Sequence, residues 1–170
     1  MWLAYANGLV PILVFSDNPI WFVLFFPLIA VWQAFHFYCI HRLLHWKPLY
    51  DYFHSVHHRN VTVGPWSGFS MHPVEHLLYL SSLFVMLVIP SHPVHMLFLA
   101  FWLTLATATS HSGYRELIVG NFRTTIAHFH HQLHHRYFNC NYGNSDLPLD
   151  QWFGSFNDGT SAATQRLLRK

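Results

Sequence analysis

Five histidines crowd into eight positions of the stretch "IAHFHHQLHHRYF" (126–138): His128, His130, His131, His134 and His135. They are not alone. "HRLLH" sets His41 and His45 four residues apart, and "HSVHH" sets His54, His57 and His58 at i, i+3 and i+4. "HHQLHH" repeats that second spacing with His131, His134 and His135, while "HPVEH" supplies His72 and His76, and His111 stands in "SHSGY". Residues four apart on a helix lie about 40° from one another, so each pair can turn two imidazoles toward one ion. Burying imidazole without a partner is costly, so clusters this dense call for one. One metal takes about four to six ligands, so nine or more histidines imply two metals. Neutral imidazole suits iron, zinc, copper and nickel. Zinc would act as a Lewis acid, and iron would open dioxygen chemistry.

The candidate ligands separate by position. His41, His45, His54, His57, His58, His111, His131, His134 and His135 are the ligand set. His72, His76 and His128 are lesser candidates for a metal or its surroundings, and His72, next to Pro73, also has the position of a helix cap. Glu75 is placed to hydrogen-bond a ligand from behind. His130 points about 100° away from His131 on a helix and is expected to be a bystander. His36 is read as a packed or hydrogen-bonded core residue, and His92 and His95 as structural.

The elements that must carry these residues read as membrane helices. The chain has 170 residues, 52% hydrophobic and only 9% charged, with 18% aromatic residues, whereas soluble domains average about 25% charged. Residues 20–40 carry no formal charge, and about 20 apolar residues cross a bilayer. Pro27 falls inside that span, where a membrane helix tolerates it. Residues 2–15 are apolar but short: a half-helix, an interfacial segment or the remnant of a longer span. Two further apolar blocks, Pro73 to Ile89 and Val94 to Ser110, flank the turn signal "PSHP" and read as a transmembrane hairpin. The expected fold is therefore all-α, one domain over 1–170: an integral membrane helical bundle under a His-rich helical cap that holds a dinuclear metal site. Its parts are an N-terminal membrane segment (1–40), a first His-rich region (41–60), the hairpin (73–110), a second His-rich region with a docking segment (111–158) and a basic tail (159–170). Within the cap, 41–60 and 121–138 are both expected to be helical.

Charge sets the orientation. No Lys or Arg precedes Arg42, and all nine fall in 42–59, 115–136 or 166–170, which the hairpin puts on one side. Basic residues mark the cytosolic side, so the protein is expected to be multi-pass with the His-rich site facing the cytosol. The N-terminus has no basic n-region and no evident cleavage site, so no signal peptide is read there. A net charge of +2 is too small to indicate a nucleic-acid partner. Cys39 and Cys140 are too few for a disulfide framework and are expected to be reduced thiols.

Taken together, "HRLLH", "HSVHH", "HPVEH", "HSGY" and "HHQLHH", followed by "FNCNYG" and "DQWFGSF", resemble the fatty acid hydroxylase / sterol desaturase superfamily of membrane-bound non-haem di-iron oxygenases. The resemblance covers about residues 36–158. It implies two iron ions on the three core boxes plus His111, dioxygen as co-substrate, and a lipid hydroxylated or desaturated at C–H bonds. The position four before His111 is Thr107, not the further histidine of fatty acid 2-hydroxylases. Together with "HPVEH", this leans the chain toward the sterol-desaturase side. The ligand completing the second iron stays open between His76, His128 and water. No dinucleotide, P-loop or haem-attachment motif is present. Electrons are therefore expected from a separate electron-transfer protein or reductase. Arg59, Arg123, Arg136, Arg166, Arg169 and Lys170 are available to dock it or to meet membrane lipids. The rival classes are a zinc-dependent membrane hydrolase, a metal-transport or sensing protein and a haem electron carrier. Transport would want ionisable groups within the spans, and a haem carrier would leave most of the cluster unused.

Overall fold

A computed structural model describes residues 2–125, 127–144 and 146–169; Lys170, one of the basic tail residues, lies outside them. The molecule is mostly helical. After a short α1 (Trp2–Ala6) comes the longest helix, α2 (Pro19–Leu44), whose Asn18 side chain caps Trp21 N–H. It runs without interruption through Pro27. Along α2 the buried positions Phe25, Ile29, Gln33, Tyr38, His41 and Leu44 recur every three to five residues. One helical stripe is thus apolar at one end and carries a histidine at the other.

α5 (Pro93–Ser110) is built the same way, burying Met96, Leu99, Leu103, Thr107 and Ser110. The two helices start together: Trp21 Nε1 donates to Pro90 O, and His95 Nε2 bonds Phe22 O. Both are long and apolar enough to cross a membrane by length and composition. Between them the chain returns through α4 (Pro73–Leu80) and a 3-10 turn over Ser81–Leu87. The expected first leg of the hairpin is therefore not one α-helix. Ser81 Oγ donates to Leu78 O and Trp32 Nε1 takes Ser82 O; side chains that claim carbonyls tighten the ladder to 3-10 spacing. The N-terminal segment closes the far end of this bundle, with Tyr5 Oη bonded to Ser91 Oγ at 2.8 Å. The apolar core gathers there, around Phe25, Ile29, Met86, Leu99 and Leu103. His36 and His95 are hydrogen-bonded to Ser81 and to Phe22 O, within the bundle as expected.

At the other end lie α3 (Lys47–Tyr52), 3-10 turns over His54–Arg59 and Pro65–Phe69, and α6 (Ala127–Tyr137). The expected helix over 121–138 is corrected. Its first residues belong to a two-stranded antiparallel hairpin, β1 (Glu116–Val119) and β2 (Phe122–Thr125). A β-branched run ending in Gly120-Asn121, with Gly120 at φ 58°, is a two-residue hairpin turn. Two short helices, α7 (Leu149–Trp152) and α8 (Ser161–Leu168), complete the chain. The cysteines are free, Cys39 exposed and Cys140 buried.

Candidate metal centre

The ends of α2 and α5, the 54–59 turn and α6 bring nine imidazoles together at one end of the bundle in two groups. The first holds His41, His45, His54, His58 and His134; the second holds His57, His111, His131 and His135. Within the first, Nε2 of His45 lies 3.1 Å from Nε2 of His134 and of His54, and His58 Nε2 lies 3.1 Å from His54 and from His134. Within the second, His111 Nε2 is 3.1 Å from Nε2 of His57, His135 and His131. Adjacent boxes are divided between the groups. His54 and His58 go one way and His57 the other; His131 and His135 go one way and His134 the other. The groups share a wall, with the His58 and His135 ring centroids 4.6 Å apart.

The tautomers follow from what stands behind each ring. His41 Nδ1 donates to Tyr142 O at 2.6 Å, and His134 Nδ1 to Cys140 O at 2.6 Å. His111 Nδ1 donates to Thr107 O at 2.9 Å and His57 Nδ1 to Ser70 O at 3.3 Å. A carbonyl only accepts, so these rings carry their proton on Nδ1 and turn a bare lone pair inward at Nε2. His57 and His111 therefore face each other with two lone pairs, which no hydrogen bond can join. Protonation does not resolve this. Burial, and beyond it the neighbouring imidazoles, hold His57 far below its usual range, while burial takes His111 down to about 4. The same causes depress His54, His58, His131 and His134 and bring His135 to about 3. A cluster of neutral, inward-facing nitrogen donors fits metal ions, and its tautomers are already set for them.

The remaining candidates lie outside both groups, with one at their border. Glu75 Oε1 sits 2.8 Å from His54 Nδ1, behind the ring. His72 caps α4, its Nδ1 accepting from Val74 N–H. His76 lines an outer groove, and His128 Nδ1 bonds Ser112 Oγ at 3.0 Å. His130 is in neither group.

Sequence reasoning did not anticipate what the segment after the last box does. Asp150 accepts from Tyr142 N–H (2.9 Å), Gly143 N–H (2.7 Å) and Ser155 Oγ (2.6 Å). Asn141, at φ 52°, bonds Asn157 and His130 O. "FNCNYG" and "DQWFGSF" thus form one clamp, which fixes the carbonyls that orient His41 and His134. Their turn-rich composition signalled a loop, and the buried aspartate's position was the available clue.

Beside the histidines a narrow cleft opens between α2, α4 and α5. Phe37, Ile40, Leu44, Tyr79 and Ala106 form its apolar wall, and His41, His54, His57, His111 and His131 its floor.

With this geometry in place, known proteins can be compared. The fatty acid hydroxylase family profile matches residues 26–155. The chain belongs to the fatty acid hydroxylase family. Among curated members, the Delta(7)-sterol 5(6)-desaturase ERG3B of Gibberella zeae is 31% identical over 79% of this chain and 42% of its own length. The Delta(7)-sterol-C5(6)-desaturase of Nicotiana tabacum is 30% identical over 81% of this chain and 51% of its own. The Delta(7)-sterol 5(6)-desaturase ERG3 of Saccharomyces cerevisiae is 32% identical over 70% and 32%. The chain thus spans about half the length, or less, of these curated relatives. No solved structure matches. Family membership supports an oxidoreductase of lipid metabolism, of the desaturase and hydroxylase type.

Proposed function

We propose that the protein is a membrane-embedded di-iron oxygenase that desaturates or hydroxylates a lipid, sterol-like or fatty-acyl, with its histidine centre facing the cytosol. The observation that carries this reading is the pair His57 and His111. Both Nδ1 protons are committed to carbonyls and the two bare Nε2 atoms stand 3.1 Å apart, in a family of lipid-modifying oxidoreductases. His41, His45, His54, His58 and His134 would hold one iron, and His57, His111, His131 and His135 the other. When bound, the two irons would supply, from dioxygen and two external electrons, the oxidising power that breaking an unactivated C–H bond needs.

The chain's own contribution is placement. The backbone carbonyls of Tyr142, Cys140, Thr107 and Ser70 hold the imidazoles in one tautomer, so the centre needs no reorganisation. Phe37, Ile40 and Leu44 wall the cleft with apolar surface, which excludes water from the reacting carbon. The cleft opens where α2 and α5 end, so a lipid can rise from the bilayer with its reactive carbon against the histidines. The exposed Arg59, Arg123, Arg136 and Arg166 offer an acidic electron carrier a docking face at the same end.

Metal analysis of the chain purified in detergent is expected to give about two irons, the number the two ligand groups require. His57→Ala with His134→Ala removes one ligand from each group and is expected to abolish both metal and lipid oxidation. A metal-replete double variant would overturn the ligand assignment. Fusion of a cytosol-active reporter after residue 169 checks the orientation, and a reporter active only outside the cytosol would reverse it.

A further inference from the structure

Three hollows adjoin one another around α5. The inner cleft shares Met71, Tyr79 and Thr107 with an outer apolar groove, which Leu80, Ala100 and Leu103 also line. It also shares Ala106, Ser110 and Asn144 with a second hollow, where His128 and Asp146 stand. Both outer hollows are mostly apolar, and the Asp146 carboxylate stands in the second. Asn144 stands where the cleft meets that second hollow, and its Oδ1 is buried with no hydrogen-bond partner among the described residues. A carbonyl oxygen so placed has lost water and gained no partner, a deficit that a donor group on a ligand recovers by bonding to it.

The charge of the lining narrows the ligand. Among the described residues no lysine or arginine lines any of the three hollows, and the carboxylates that do are Glu75, beside His54, and Asp146. A carboxylate or phosphate carried into these hollows would be buried without a cation and would meet Asp146. A neutral hydroxyl suffers neither penalty. It can both donate and accept, so it satisfies the Asn144 amide in either orientation. Asn144 also lines the same cleft as His57, His111 and His131. A hydroxyl held there keeps its own end of the molecule near the centre.

We propose that Asn144 receives the hydroxyl of a neutral lipid alcohol whose reactive C–H bond lies close to that hydroxyl, and that this contact selects against free fatty acids and phosphate-bearing acyl carriers. The inference rests on the lipid-oxidising reading above. It makes Asn144 a specificity residue that binds substrate and takes no part in holding metal.

The test is binding of tritiated cholesterol, cholesterol 3-methyl ether and oleic acid to the purified full chain in detergent micelles. The native chain is expected to bind cholesterol about ten-fold more tightly than the ether or oleic acid, the scale of one buried hydrogen bond. Asn144→Leu is expected to weaken cholesterol binding about ten-fold and leave the ether unchanged, erasing the preference. Equal binding of all three probes to the native chain, or of none, overturns the proposal without recourse to any variant. So does an Asn144→Leu protein of normal iron content that keeps the preference. Oxidation of a fatty acid but of no alcohol would sink the alcohol assignment while sparing the oxygenase. A chain without iron that oxidises no lipid would sink the oxygenase reading itself.

Discussion

An imidazole can serve a metal only if its proton sits on the other nitrogen. Of the nine clustered histidines, four owe this to backbone carbonyls, which substitution of the acceptor residue cannot remove. His54 is different, because the group behind it is the Glu75 carboxylate, 2.8 Å from Nδ1. Such outer partners raise ligand basicity and fix ring orientation, and losing one typically weakens metal affinity about 10–100-fold. Glu75→Ala is therefore expected to lower iron affinity by that factor at the His54 group, while Glu75→Gln, which still offers an acceptor, loses less. Competition with a chelator, followed by metal analysis, measures both. Equal retention in Glu75→Ala and the native chain would reduce the carboxylate to a packing role.

The ligands are delivered by elements, and the elements meet closely. The 3-10 turn Pro65–Phe69 packs on the end of α5 at Gly68. A Cβ there would lie 2.6 Å from Thr107 O and 2.8 Å from His111 Nδ1. Those are the two atoms of the bond that orients His111, and backbone carbonyl cannot move aside cheaply. Gly68→Ala is accordingly expected to displace His111 and empty the second group first, leaving about one iron per chain where the native protein holds about two. Iron counts together with a circular dichroism spectrum separate this outcome from unfolding.

None of that was legible in "PWSGF", which reads only as a turn. The spacing within each histidine box was legible, because i, i+3, i+4 is a property of local geometry. The division of each box between two groups was not, since it depends on how the 54–59 turn and α6 face one another. The β1–β2 hairpin was written in "LIVGNF", but the histidine-rich helix after it drew the helical reading too far back. Ser81 and Ser82 gave the only hint that the apolar run from Pro73 would change to 3-10 geometry.

For the molecule as a whole, two long apolar helices with a shared polar end leave four segments to be tied together by the histidines. Those segments are the ends of α2 and α5, the 54–59 turn and α6. Without metal, the tie becomes a liability in acid. Folded His111 titrates at about 4 and His135 at about 3, against about 6.5 in an unfolded chain. Between those values the unfolded chain binds more protons than the folded one. Stability therefore rises with pH across that window and falls as acid is added. The full contribution is present above about pH 6.5 and is lost progressively down to about pH 4 for His111 and about pH 3 for His135. Each such histidine costs about 1.4 kcal/mol per pH unit within its window. The metal-free chain is thus expected to melt at a lower temperature at pH 5.5 than at pH 7.5. Iron binds only the neutral, folded cluster, so it should raise the melting temperature at both pH values. Replacing His111 and His135 with Gln removes two titrating groups and should flatten the acid slope of the metal-free protein. An unchanged slope in that variant would mean that the loss in acid comes from groups other than His111 and His135.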